Sequence, residues 1–172
     1  MKKHKIISKR YWPVPNCLEK YVATRGTSAF GAPRDGGNGK IGKHTGVDIW
    51  AHSRDKVIAI ESGIVVNVGI FTSPSEYPKW LTTYTVMVKN NSGTVSVYGE
   101  LRKPKFKVGQ RINAGQLVGY IARVLKRGDE NGSSPYMLHF ELHKKGSKDF
   151  FDWYGKKPKV LLNPTKYLQS LL

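Results

Sequence analysis

TYTVMVKNNSGTVSVY, Thr83–Tyr98, is the stretch from which the rest of the chain can be read. Apolar and polar residues alternate over Thr83–Lys89, the period of a half-buried strand. Asn90–Gly93 (NNSG) is a strong turn signal, because Asn and Gly accept the positive φ of tight hairpin turns. Thr94–Tyr98 returns as a second strand, so the segment is a predicted β-hairpin. Moving outward, Val47–Trp50, Lys56–Ile60 and Gly63–Ile70 are short runs rich in β-branched residues, and Tyr136–His143 (YMLHFELH) alternates again. Lys107–Ala122 repeats a V-G-x-x-I-x-x-G spacing whose glycines suit corners between short strands rather than a helix. A helical signal comes at the C-terminal end: Asn163 can cap, Pro164 suits the first position, and Tyr167, Leu168, Leu171 and Leu172 form an apolar stripe. Many short strands between turns predict an all-β sandwich or barrel with a short C-terminal helix.

A chain of 172 residues is expected to form one domain with one sizeable core. Residues 1–23 read as a basic arm with a stiff WPVP stretch at Trp12–Pro15, and residues 24–172 as the domain. Within it, residues 24–43 are Gly-rich and read as loops with a short strand, Phe71–Leu81 as a polar and aromatic insertion, and Lys126–Ser134 as a polar loop. Lys and Arg number 29 against 12 Asp and Glu, a formal charge of +17, which predicts attraction to anionic polymers. Nucleic acid, anionic wall polymers and lipid headgroups all meet that description. Specific nucleic-acid binding is not expected, since no RNP-like, helix-turn-helix or zinc-finger signature accompanies the charge. The lone Cys17 excludes an intramolecular disulfide and reads as a small buried apolar residue. No run is long and apolar enough for a membrane span, and Lys9 and Arg10 interrupt any secretory h-region, so the compartment is left open. A monomer is expected.

The residues with chemistry to offer are His44, Asp48, Glu100, His139, Glu141 and His143. His44 and Asp48 are four apart in KHTGVDIW, so an extended backbone puts them on one face, and Gly46 between them permits a bend. His139 lies on a strand whose even-spaced partners are Met137, Glu141 and His143. Two imidazoles and a carboxylate are the donors that an open zinc site uses, but H-x-x-x-D spacing alone is weak and equally describes a surface His and a loop Asp.

Taken in order, seven segments together resemble the lysostaphin-type zinc metallo-endopeptidases of bacterial cell walls. SAFGAPRDGG is similar to that family's opening S-x-F-G-x-R-x-G, HTGVDIW to H-x-G-x-D, and KVIAIESGIVVNVG to its V-x-A-x-x-x-G-x-V strand pair. VSVYGEL resembles Y-x-H-L, FKVGQRINAGQLVGYIA the V-x-x-G-Q-x-I-G repeat, MLHFEL the H-L-H-F-E strand, and NPTKYL the closing D-P-x-x-Y-L. The resemblance spans residues 25–168 and implies a twisted antiparallel β-structure, a duplicated hybrid motif, with a groove for peptidoglycan peptides. It implies Zn²⁺ on His44, Asp48 and His139; Glu141, at the family's acidic position, either orients His139 or is an ordinary strand carboxylate paired with a surface Lys.

Two positions depart from the family pattern. Glu100 stands where the family has a catalytic His after Tyr-x, and Met137 where it has the first His of H-L-H. A thioether neither donates a hydrogen bond nor carries charge. One reading is a zinc-dependent peptidoglycan hydrolase with Glu100 as general base, as carboxylates serve in other zinc peptidases. The other is an inactive metal-binding module that binds cell wall or regulates a partner. Tyr77 and Trp80 in the insertion, with Met137, are candidates for lining the substrate groove, or are simply the core of an enlarged loop. His143, some 13 Å along the strand from His139 at ~3.3 Å per residue, reads as a solvated strand end.

Overall fold

In the computed structural model, which describes residues 9–35, 41–126 and 135–172, the strands are β1 (Pro33–Asp35), β2 (Ile41–Lys43), β3 (Val47–Trp50), β4 (Lys56–Ile58), β5 (Gly63–Thr72), β6 (Thr83–Asn90), β7 (Val95–Leu101), β8 (Arg111–Ile112), β9 (Leu117–Tyr120), β10 (Met137–His143) and β11 (Leu161–Leu162). Their pairings are antiparallel. The main sheet runs β11-β10-β7-β6-β5-β8, with β3 also on β10, and β1–β2 and β4–β9 make two smaller sheets. A short helix, α1 (Thr165–Gln169), closes the chain. The predicted all-β class, the hairpin and the C-terminal helix are therefore present. The helix begins after Pro164, and the Asn163 side chain accepts a hydrogen bond from the Thr165 amide at 3.0 Å.

β10 shows why the sheet is covered on both sides. Leu138, Phe140 and Leu142 face a core that includes Val47, Ile49, Tyr98, Leu101 and Leu168. Each such apolar side chain contributes roughly 1.5–3 kcal/mol when fully buried. His139, Glu141 and His143 point the other way, as the pleat requires. On β7, Val97 and Val95 stand opposite Glu141 and His143. These valines join Met87 in a second small core against which Val66 and Phe150 pack. The polar face of β10 is thereby sealed from solvent.

Several boundaries differ from the sequence reading, each for a local reason. β5 continues through Phe71 and Thr72, because the Thr72 and Thr83 hydroxyls meet at 2.7 Å and β6 is still paired there. β7 runs on to Leu101, so Glu100 is a strand residue. Residues 9–23 lie against the domain: Tyr11 and Ile58 donate backbone hydrogen bonds to Ile60 and Pro13, and Trp12, Val14 and Val22 join the main core. Cys17 is half-buried at the core's edge, contrary to the expected burial, and its sulfur accepts a hydrogen bond from the Trp12 indole at 3.3 Å. Of the expected polar loop at 126–134, residues 127–134 lie outside the described residues.

The closest approach that matters to the site is at Gly46. A Cβ there would stand 2.3 Å from the Phe140 carbonyl oxygen and 3.0 Å from His139 Nε2. The carbonyl is fixed by the β3–β10 ladder and cannot yield cheaply. Gly46→Ala is expected to cost about 2–3 kcal/mol as overpacking, a fall in Tm of about 4–10 °C for a chain of this size. Thermal or denaturant melting checks this, and an unshifted melt would show that the ladder relaxes freely.

Candidate metal centre

Three remote stretches of chain supply one cluster. His44 follows β2 and its side chain is held by a hydrogen bond from Nδ1 to the Ala29 carbonyl at 3.0 Å. Asp48 is on β3, and the ladder register sets it directly opposite His139 on β10. His44 Nε2 lies 3.1 Å from Asp48 Oδ1 and 3.0 Å from His139 Nδ1, and His139 Nδ1 lies 3.2 Å from the same Oδ1. All three residues are buried. An ion with tetrahedral bonds of ~2.0–2.1 Å holds its ligand atoms roughly 3.3 Å apart, so the spacing fits a zinc-sized cation.

The outward hydrogen bonds point to the same use. His44 Nδ1 is committed to Ala29, and His139 Nε2 donates to Glu141 Oε1 at 2.9 Å. The Thr45 hydroxyl also donates to Glu141 Oε1, at 2.6 Å. With those ring N–H groups turned outward, the inward nitrogens are left as acceptors facing a carboxylate oxygen, an arrangement that calls for a cation. The titration behaviour agrees. Burial opposes a charge on His139, yet hydrogen bonds to Asp48 and Glu141 outweigh it and lift its pKa to about 10. Burial likewise opposes ionisation of Glu141, but His139 and His143 hold it at about 2. Asp48 is held well below the usual carboxylate range, against burial, by His44, His139 and Arg34, the last at 2.5 Å. Burial lowers His44, partly offset by Asp48. Without a metal, a proton supplies the positive charge that the cluster favours, and cation binding must displace it.

His143 is the main correction. It is fully buried, and its Nε2 lies 2.6 Å from Glu141 Oε2. Its Nδ1 lies 2.9 Å from the Ser147 hydroxyl, and Phe151 stacks on the ring at 6.4 Å. It does not approach the cluster directly; it extends the line from His139 through Glu141. The chain after β10 folds back over it, which strand spacing alone does not reveal.

Glu100 reaches the site by breaking the strand's alternation. Between the Tyr84–Leu101 and Val86–Tyr98 pairs the β6–β7 register shifts, so β7 carries an extra residue there. Glu100 sits in that bulge with φ of 63°, a conformation that side chains rarely adopt. It is buried, and its Oε2 has no hydrogen-bond partner among the described residues. Burial first, then the negative charge of Asp48, pushes its pKa up to about 8. Its neighbour Gly99 lies opposite His139, and the space that a side chain would fill is occupied by Phe71, which packs on the His139 ring at 5.0 Å.

The other predicted positions fall at the edge or elsewhere. Met137 is half-buried, paired with Trp50 and two residues before His139 on β10. Tyr77 and Trp80 pack edge-to-face on each other at 5.4 Å, with Trp80 bridged to Leu125. The aromatic of that segment that reaches the cluster is Phe71. Arg34, Thr45, His143 and Phe71 are site residues that sequence reasoning does not assign. Arg34 had a signal, as the arginine of SAFGAPRDGG, and His143 had one in its even spacing from Glu141.

A family model described as peptidase family M23 matches residues 42–150, a span holding His44, Asp48, Glu100 and His139. The catalytic domain of the antimicrobial peptidase lysostaphin from Staphylococcus simulans shares the fold at TM-score 0.56 and 24% identity, over 82% of this chain and 89% of that one. A zinc-containing peptidase from Vibrio cholerae matches at TM-score 0.52 and 22% identity, over 78% of this chain and 36% of that one. A chain of the SpoIIIAH–SpoIIQ complex matches at TM-score 0.58 and 21% identity, over 90% and 96%.

The raised Glu100 pKa has a consequence for metal-free protein. From 4.5, its ordinary value, to about 8 the folded state keeps a proton that the unfolded chain releases. Its contribution is therefore fully present below the ordinary value and is lost as pH rises through about 8. Chelator-treated protein should lose stability relative to Glu100→Gln as pH rises across that window, and the two should be alike at the acid end. Parallel denaturant curves across the window would contradict it.

Proposed function

This chain belongs to peptidase family M23, and from that premise we propose that it is a zinc-dependent peptidoglycan hydrolase, an endopeptidase of cell-wall peptides in which Glu100 is the general base. The observation that carries this reading is Glu100 itself. A glutamate held in a left-handed bulge, buried, with an unpartnered oxygen beside Asp48 and His139, is costly to keep for structure alone. Such a backbone conformation costs on the order of 1–3 kcal/mol, and strain of this kind clusters at functional sites.

His44 Nε2, Asp48 Oδ1 and His139 Nδ1 would hold the metal. Zn²⁺ bound there would supply Lewis acidity, polarising the scissile carbonyl and acidifying water. A cation there would offset the Asp48 charge, the second cause of the raised Glu100 pKa after burial, and Glu100 as the carboxylate would accept a proton from the attacking water at Oε2. It then returns that proton to the departing amine. Glu141 fixes the His139 ring so that Nδ1 faces inward, and His143 and Thr45 hold Glu141. The charge of +17 draws the protein to an anionic wall.

A second reading, a metal-holding module that binds wall or a partner without cutting, is favoured by Met137. The thioether leaves that side of the site without a donor for a developing oxyanion. A similar fold also occurs in a chain of a pore-forming complex, that of SpoIIQ and SpoIIIAH.

Protein prepared with zinc present should hold one ion per chain and release wall peptides, and chelation should abolish the release. Glu100→Gln should retain the ion and lose about 10²–10⁴ in kcat. A zinc-loaded parent protein that turns over no wall chemotype assigns the second reading. Glu141→Gln should weaken zinc affinity by about 10–100-fold, read by competition with a chelating dye; unchanged affinity would remove Glu141 from the support of the site.

A further inference from the structure

Beyond the cluster, an open groove of about 620 Å³ runs between the β6–β7 end of the sheet and the segment at 121–123. Arg54, Arg102, Lys103 and Arg123 line it, and among the described residues no acidic side chain does. All four side chains are exposed, and among the described residues none pairs with a carboxylate. Asp55, next to Arg54, is taken by His52 through a backbone bond at 2.8 Å and a ring contact at 3.3 Å. Arg123 is anchored by its Nε on the Leu125 carbonyl at 2.8 Å, which leaves the outer end of the guanidinium for a ligand. Arg54 has φ of 65°, and hydrogen bonds from its own amide to Ile121 and from the Ile121 amide to Asp55 fix that turn to the groove floor.

We infer that this groove binds a peptide strand bearing a free carboxylate, as an extension of the hydrolytic site proposed above, on which the inference rests. Guanidinium forks match carboxylates with paired hydrogen bonds. The groove is tied to the centre through the backbone. The Ala122 amide donates to the Glu100 carbonyl at 2.9 Å, and Tyr136, whose side chain packs on the main core, directly precedes Met137 at the start of β10. Tyr136 is three residues from His139, about 10 Å at ~3.3 Å per residue. An extended peptide crossing the centre would therefore lay a residue about three positions from the cut bond among the arginines. Leu81 and Ile121 add apolar wall for the methyl and methylene groups of such a strand. A phosphodiester polymer would meet the same charges, but nothing would lead it across Glu100.

The test uses zinc-loaded full-length protein and two synthetic wall-type peptides, identical except that one carries a carboxylate where the other carries a carboxamide. Binding is read by calorimetry and cleavage by chromatography. The carboxylate peptide should bind about 10-fold more tightly, the value of one charge-assisted contact. The double variant Arg102→Gln/Arg123→Gln should erase that preference, and so should Arg54→Gly, which keeps the left-handed turn while removing the charge. Lys89→Gln, on the exposed side of β6 and matching the single charge loss of Arg54→Gly, should leave it intact. Equal binding of the two peptides overturns the inference, as does a preference that survives in the arginine variants or competition by a phosphodiester polymer alone. Preference without cleavage keeps the groove and removes the hydrolase reading. Cleavage of both peptides alike keeps the hydrolase and removes the groove.

Discussion

One cross-strand pair organises this molecule: His139 opposite Asp48 in the antiparallel β3–β10 ladder. Facing residues in such a ladder share a side of the sheet with their Cβ atoms about 5 Å apart, which is the separation that lets an imidazole and a carboxylate share a cation. Everything else fits around that pair. Gly46 lets the turn before β3 press against the Phe140 carbonyl, so that His44 comes in from the flank. Gly99, opposite His139 on the other side, leaves room for Phe71 to cover the ring. A slip of one residue in either pairing would turn His139 into the apolar core and Phe140 out of it.

The enclosure of this face decides its electrostatics. A lone carboxylate in the position of Glu141 would be raised by burial, as Glu100 is. Glu141 is instead ionised because imidazoles flank both its oxygens, at 2.9 and 2.6 Å. The two glutamates differ in partners rather than in burial. That difference divides their roles: one carboxylate is locked into holding a ring, and the other keeps an oxygen free. Pairs of carboxylates whose surroundings push their pKa values apart are how a fold separates a supporting group from a proton carrier.

How much of this is legible in the sequence depends on whether a feature is local. Strand alternation in TYTVMVK and YMLHFELH, and the turn at Asn90–Gly93, are local, and the corresponding elements form. Candidate donors are legible as residue types, and the family resemblance brings His44, Asp48 and His139 together, though they span 95 positions. The burial of His143 is not legible, because it depends on a later segment folding back with Ser147 and Phe151. Nor is the bulge at Glu100, since nothing in VSVYGEL marks an extra residue until β6 is laid beside it. Phe71 reads as the start of an insertion, because only pairing with β6 shows that β5 continues past Ile70.

In a regular strand Glu100 would alternate away from Gly99, and hence away from the face that bears His139. The extra residue and the left-handed φ cancel that alternation. Glycine would adopt this backbone without strain, yet the position holds a glutamate with an oxygen unpartnered in a buried setting. A module that merely holds a metal gains nothing from such a residue, since His44, Asp48 and His139 already provide the donors and Glu141 the support. Met137 removes a donor from one side of the site, but a lost donor slows a reaction, whereas a lost base removes the path for the proton. Of the two departures from the family pattern, the one at Glu100 therefore weighs more, and it weighs toward chemistry.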